Sequence, residues 1–219
     1  IRELDKASLA EKSKTWVSRH FIYTHGYGLV MTPVHEIEGE GRPRLIVKNI
    51  PPEENIPEIE INRPQVYYGE TTNDHVYVDT GRREFDYPSK TGNVYTTYEG
   101  RGGIPLAGFL KRFIFSLLYD GYRQLFSSYI NEDSQLMYHR EVKERIRRLA
   151  PFLKLDRDPY PVVTRDGRIV YIVDAYTLSP RYPYSELYTG GLALFGGINY
   201  IRNSVKITVD AYHGDVNFY

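Results

Sequence analysis

Pro105-Leu106-Ala107-Gly108-Phe109-Leu110-Lys111-Arg112-Phe113-Ile114-Phe115-Ser116-Leu117-Leu118-Tyr119 is the stretch on which the fold turns. Leu106, Phe109, Leu110, Phe113, Ile114, Leu117 and Leu118 fall at i, i+3, i+4, i+7, i+8, i+11 and i+12, an unbroken helical face. Pro105 suits a first helical turn and Gly121 a C-terminal stop. The spacing predicts a helix over about 105–120, with its Leu106/Phe109/Phe113/Leu117 face packed on β structure. A second helix is expected over about 136–150, where Val142, Ile146, Leu149 and Leu153 make the stripe and Pro151 ends it. Glu141/Arg145 and Glu144/Arg148 stand at i,i+4 on it, and Arg140, Lys143, Arg145, Arg147 and Arg148 read as its solvated face.

Outward from these helices the pattern changes to period two. Upstream, short apolar runs alternate with turn formers from Phe21 to Tyr98; Leu45-Ile46-Val47 reads as a strand, and Val66-Tyr67-Tyr68 and Val76-Tyr77-Val78 as a strand pair. The acidic stretch from Pro51 to Pro64 reads as an extended loop. The first nineteen residues read as a short amphipathic lead-in anchored by Leu4, Leu9 and Trp16. Downstream, Val162-Val163 and Arg168 to Val173 flank Asp166-Gly167, a two-residue hairpin signal. Val205, Ile207 and Val209 alternate with Lys206 and Thr208, and His213-Gly214-Asp215 turns the chain into a last strand. Val173-Asp174-Ala175-Tyr176 recurs as Val209-Asp210-Ala211-Tyr212, repeated strand-exit chemistry. Strands on both sides of two helices, with hairpins, give α+β: mostly antiparallel β structure with two main amphipathic helices. A subdivision into a β- and loop-rich part, 20–100, and a part of helices plus hairpins, 101–219, is compatible with this order.

Composition narrows the chemistry. The 219 residues carry 28 basic and 28 acidic side chains, so there is no bulk charge to favour nucleic acid as a partner. Zero Cys excludes disulfides, thiolate metal sites and a cysteine nucleophile. The 21 Tyr suit half-buried strands or a recognition surface, since Tyr buries a ring and keeps a wet hydroxyl. The most apolar stretch, Ile104 to Tyr119, is interrupted by Lys111 and Arg112, short of the ~20 apolar residues of a membrane span. A chain that starts at Ile1 and stops at Tyr219 within a strand pattern is expected to be part of something longer.

Candidate sites are few. Arg101, Gly102 and Gly103 precede the predicted helix and form a weak anion-binding candidate. The six His do not make a His-Glu-x-x-His pattern, and His20 and His25, five apart, share no face of a helix or strand, so no metal and no cofactor is expected. No Gly-x-Ser-x-Gly elbow is present. The segment from Thr177 to Gly191 is the most suggestive: Tyr176, Arg181, Tyr182, Tyr184 and Tyr188, stiffened by Pro180 and Pro183, are the candidate binding residues.

Six ordered motifs carry a resemblance. They are Tyr23-Thr24-His25-Gly26-Tyr27-Gly28, Phe85-Asp86-Tyr87-Pro88, Tyr98-Glu99-Gly100-Arg101-Gly102-Gly103-Ile104-Pro105-Leu106, Ala150-Pro151-Phe152-Leu153, Asp156-Arg157-Asp158-Pro159-Tyr160 and Asn199-Tyr200-Ile201-Arg202-Asn203-Ser204-Val205-Lys206. From about Trp16 to Tyr219 the chain resembles an uncharacterised family of large multi-pass membrane proteins of bacteria and cyanobacteria. The resemblance implies transmembrane helices N-terminal to this segment and a large extracytoplasmic region that contains it. It supplies no reaction, cofactor or catalytic residue. The expectation is therefore a non-catalytic binding or assembly segment on the extracytoplasmic side of the cell membrane, with the remainder of the same protein as partner. A homo-oligomer or an envelope component is a further possible partner, and a hydrolase acting on cell-envelope polymer is the alternative.

Overall fold

A computed structural model describes residues 1–4, 11–188 and 197–219. Leu9, named above as an anchor, and Thr189 to Gly191, the end of the candidate binding segment, lie outside the described residues. In chain order the strands begin with β1 (Gly26–Tyr27), β2 (Ile37–Glu38), β3 (Arg42–Pro43), β4 (Val47–Lys48) and β5 (Glu53–Glu54). Next come β6 (Gln65–Val66), β7 (Val76–Val78), β8 (Glu84–Ser89), β9 (Gly92–Thr96) and β10 (Ile104–Pro105). Helices α1 (Phe109–Leu118) and α2 (Tyr122–Leu125) follow, then β11 (Gln135–Met137) and α3 (Val142–Leu149). The chain ends with β12 (Lys154–Leu155), β13 (Tyr160–Val163), β14 (Ile169–Ser179), β15 (Tyr200–Asp210) and β16 (Val216–Phe218). All named strand pairs are antiparallel, and the fold is α+β.

The largest sheet is built on β14, which pairs with β12, β13 and β15, with β16 outside β15. Period two puts Ile169, Tyr171, Val173 and Ala175 of β14 and Ile207 and Val209 of β15 on one buried face. Val142, Ile146 and Ala150 of the α3 segment cover that face, with Leu153, Val47 and Val66 beside them. The helix starts where Glu141, in extended conformation, accepts hydrogen bonds from the N–H groups of Lys143 (3.1 Å) and Glu144. Two smaller cores adjoin. One is rich in tyrosine: Tyr67, Tyr68, Tyr98 and Tyr212 with Val76, Val78 and Met137. The other joins Phe21, Tyr77, Leu106, Ile130 and Leu136.

Several sequence expectations shift. The first helix runs over Phe109–Leu118, not 105–120, because Pro105 and Ile104 pair with β11 as a strand and Gly108, at φ 87°, turns the chain into the helix. The second covers Val142–Leu149 rather than 136–150: Gln135–Met137 is the middle strand between β10 and β7. Val66 and Val76 belong to different sheets, so the expected strand pair does not form; β6 pairs with β1. The Asp166-Gly167 hairpin is present with a loop one residue longer. Thr164 and Arg168 still pair, and Gly167 sits at φ 76° as the left-handed residue of a bulged turn. Glu144 meets Arg148 at 3.6 Å, whereas Arg145 turns away from Glu141 to give its Nε–H to Gly214 O at 2.7 Å.

Candidate functional site

Helix α1 is inside out. Its interior side carries Ser116, 4 % exposed, and Arg112, whose guanidinium donates to the carbonyls of Leu106 (3.3 Å), Ile130 and Asn131 (both 2.9 Å). Phe115 and Tyr119 reach the core beside them. The opposite side holds Phe109, Leu110, Phe113, Ile114, Leu117 and Leu118, all exposed, with Leu117 at 72 %. Tyr122 and Phe126 continue the patch past α2. The expectation that this face packs on β structure is thus corrected: the periodicity is real, but the apolar side looks outward. A patch of eight large apolar side chains over α1 and α2 is far more than scattered surface hydrophobics.

At the C-terminal end of α1 a second cluster forms. Asp120 Oδ2 accepts from His75 Nε2 at 2.5 Å and from Tyr77 OH at 2.9 Å. His20, in the π-helical turn Ser18–Ile22, puts Nδ1 2.8 Å from the His75 carbonyl, and its ring stacks on that of His75 with centroids 4.4 Å apart. Trp16, Tyr77 and Tyr119 wall the three. Burial raises the Asp120 carboxyl, but the His75 hydrogen bond, the nearby Trp16 indole and the charges of His75 and His20 outweigh it and hold the group well below the usual carboxylate range. His20, His75 and Asp120 each offer a ligand atom within 4.8 Å of the others, a set able to hold a metal ion. Residue spacing carries no signal for it, because His20, His75 and Asp120 are brought together only by the docking of the π-helical turn and the end of α1 beside β7.

A third polar group is sealed in the core. His25 Nε2 faces Asp86 Oδ1 at 3.1 Å, and its Nδ1 faces Thr24 Oγ1 at 2.8 Å. Glu84 accepts from Thr24 Oγ1, from Tyr67 OH at 2.8 Å and from the Tyr98 N–H at 3.0 Å. Burial lowers the His25 pKa, but hydrogen bonds to Asp86 and Glu84 and their charges overcome this and raise it. With Glu84 1 % and His25 4 % exposed, no substrate reaches this group, and its role is structural.

The sequence-predicted residues fall elsewhere. Arg101 pairs with Asp215 at 2.7 Å on the surface. The Gly102 N–H donates to Tyr98 OH (2.8 Å) and that of Gly103 to Gln135 Oε1 (3.3 Å). These amides point into the protein, and a strand follows them instead of the expected helix. Tyr176 is not in a loop: it lies in β14, half-buried, its OH 3.1 Å from Asp156 Oδ2. Arg181, Tyr182, Tyr184 and Tyr188 are exposed beyond the strand. Asn199 organises them, accepting from Tyr182 N at 2.8 Å and donating to the Tyr182 and Ser185 carbonyls at 2.9 Å, while Tyr182 stacks on Tyr200.

The profile of an uncharacterised protein family, UPF0182, matches residues 1–219. The chain belongs to this family. It is 46 % identical over 219 residues to a UPF0182 protein of Desulforamulus reducens, covering all of this chain and 23 % of that protein. It is 47 % identical over 219 residues to one of Sulfurovum sp. (24 % of its length) and 48 % identical over 218 residues to one of Pelobacter propionicus (23 % of its length). The chain therefore spans about a quarter of the length of these UPF0182 relatives. No solved structure matches it. Among the described residues of this UPF0182 segment no helix is long and apolar enough to cross a membrane.

Proposed function

We propose that this segment is a non-catalytic assembly module on the extracytoplasmic side of a longer membrane protein, seated against the remainder of that same polypeptide through the outward face of α1 and α2. The observation that carries this is the inverted helix: Ser116 and Arg112 face the protein while Phe113 and Leu117 face out. Such a face is stable only against an apolar medium. About three quarters of the relatives' length lies outside this chain, which supplies a covering surface without a second molecule. The hydrolase alternative draws no support from the relatives, whose family is uncharacterised, and Glu84 and Asp86, two core carboxylates that share His25, are buried.

A photo-crosslinking amino acid at position 117 of the full-length protein, irradiated in its native membrane, tests the reading. Crosslinks to another part of the same polypeptide are expected. Adducts exclusively with lipid, with a second copy or with another envelope protein would overturn the assignment of the occupant. No crosslink at all, with Leu117 accessible to aqueous reagents, would overturn the docking role itself.

A further inference from the structure

We infer that His20, His75 and Asp120 form a binding site for one divalent first-row metal ion, best matched by zinc, which fastens the end of α1 to strand β7. The donors are the reason. Two imidazoles and one carboxylate, with no thiolate anywhere in the chain, suit Zn²⁺ in an N₂O set completed by water or by a further ligand from the remaining polypeptide. A single carboxylate among two nitrogens is a poor match for Ca²⁺ or Mg²⁺, which take oxygen.

The surroundings fit a metal's outer shell. A carbonyl oxygen only accepts, so His20 Nδ1 donates to the His75 carbonyl, the kind of contact that orients a ligating imidazole through its other nitrogen. Tyr77 OH holds Asp120 in the way that a hydrogen bond orients a ligating carboxylate. The buried Trp16 Nε1 lacks a hydrogen-bond acceptor of regular geometry, and a water on the metal would provide one. The required movement is small. His75 Nε2 and Asp120 Oδ2, now 2.5 Å apart, must separate to roughly 3.3 Å to flank an ion at bond lengths of about 2.0–2.1 Å. The His20 ring, 28° from the plane of His75, must turn to aim at the same point. Loading at His75 Nε2 displaces its proton, so uptake should weaken in acid.

The test uses the full-length protein, stripped with EDTA and reloaded with Zn²⁺. Elemental analysis should show one Zn²⁺ per chain fewer in each of His20→Ala, His75→Ala and Asp120→Ala than in the unsubstituted protein. His35→Ala, whose side chain is 82 % exposed and outside the cluster, should show no loss. Because a substitution at the cluster can disturb folding, the unsubstituted protein provides the second reading. Histidine acylation by diethyl pyrocarbonate, mapped by mass spectrometry, should slow at least tenfold at His20 and His75 when Zn²⁺ is present, and stay unchanged at His35. Equal zinc in all variants would overturn the inference. So would unchanged acylation at His20 and His75, even where the variants lose metal, since that loss would then come from unfolding.

Discussion

Arg140 is 1 % exposed and, among the described residues, bonds to no carboxylate; it donates to three backbone carbonyls, those of Tyr67 (2.7 Å), Asp74 (3.0 Å) and Thr24. Burial pulls its pKa down to about 10, which leaves it charged at neutral pH. It staples the chain beside β1, β6 and β7, strands that lie in two separate sheets. Truncation by Arg140→Ala strands those carbonyls, each costing about 1–3 kcal/mol when buried without a partner. A loss of at least ~3 kcal/mol in chemical denaturation is expected, with partial rescue by Lys; a loss under ~1 kcal/mol would refute the staple. In the sequence Arg140 reads as one of a run of solvated helix cations, because the helix is expected to begin before it. The strand at Gln135–Met137 moves it off the helix and into the core.

His25 makes the second prediction at this scale. Its folded pKa lies above the ordinary 6.5, through Asp86 and Glu84 acting against burial. A raised pKa contributes stability that is fully present below pH 6.5 and is lost as pH rises through the folded value. The denaturation midpoint should therefore fall from pH 6 toward pH 9, and His25→Asn should flatten that slope. An equal slope in the variant would place the pH dependence elsewhere. The buried tyrosines show what composition could and could not tell. Tyr67, Tyr68 and Tyr98 are core residues whose hydroxyls find Glu84, the Gly102 carbonyl and the Tyr212 carbonyl, not a recognition surface.

Among the elements, α1 and α3 form a controlled comparison. Both were legible from spacing, since period 3.6 is written in the order of residues. Which side of the helix meets the protein is not, because an apolar stripe suits a core and an external partner equally. In α1 the deciding residue is Arg112, whose inward bonds go to the carbonyls of Leu106, Ile130 and Asn131, with Ser116 buried beside it and bonded within the helix to the Phe113 carbonyl. Ile146→Ala in α3, at a fully buried position, should lower stability by about 2–5 kcal/mol. Leu117→Ala in α1 should change the stability of this segment by less than ~0.5 kcal/mol, as at ordinary surface positions. A comparable loss at Leu117, read by hydrogen exchange across Ile146 and Val173, would show that the face is covered within the segment itself. Boundaries were less legible than existence. The Asp166-Gly167 hairpin is local chemistry and was readable; the pairing of β7 with β11, nearly sixty residues apart, leaves no local trace.

At the scale of the whole molecule, long-range pairing decides what becomes core and what becomes surface. Val76 meets Met137, and the Tyr67 and Tyr68 amides donate to the Ala211 carbonyl, so residues before and after position 100 share cores. Beyond the bulge at Ala175/Tyr176, β14 and β15 leave that core as a two-stranded arm, with Ile201 through Ser204 exposed. Its far end presents Arg181, Tyr182, Tyr184 and Tyr188, held in place by Asn199. Tyr184 is wholly exposed and sits at φ 59°, a left-handed conformation that costs a non-glycine residue energy unless its surroundings fix it. Tyr182 makes one stacking contact, with Tyr200, also on the arm. Neither ring roofs the sheet, so neither contributes to the main core. The double substitution Tyr182→Ala, Tyr184→Ala should accordingly leave the melting midpoint of the protein within about 2 °C of the parent, the scale of a change well under 1 kcal/mol in a domain this large. Loss of the two aromatic anchors should weaken assembly of the full-length protein, read as a shift of its solubilised particle to dissociated or smaller species. A large fall in melting midpoint with assembly intact would make the arm a structural element instead of a contact surface.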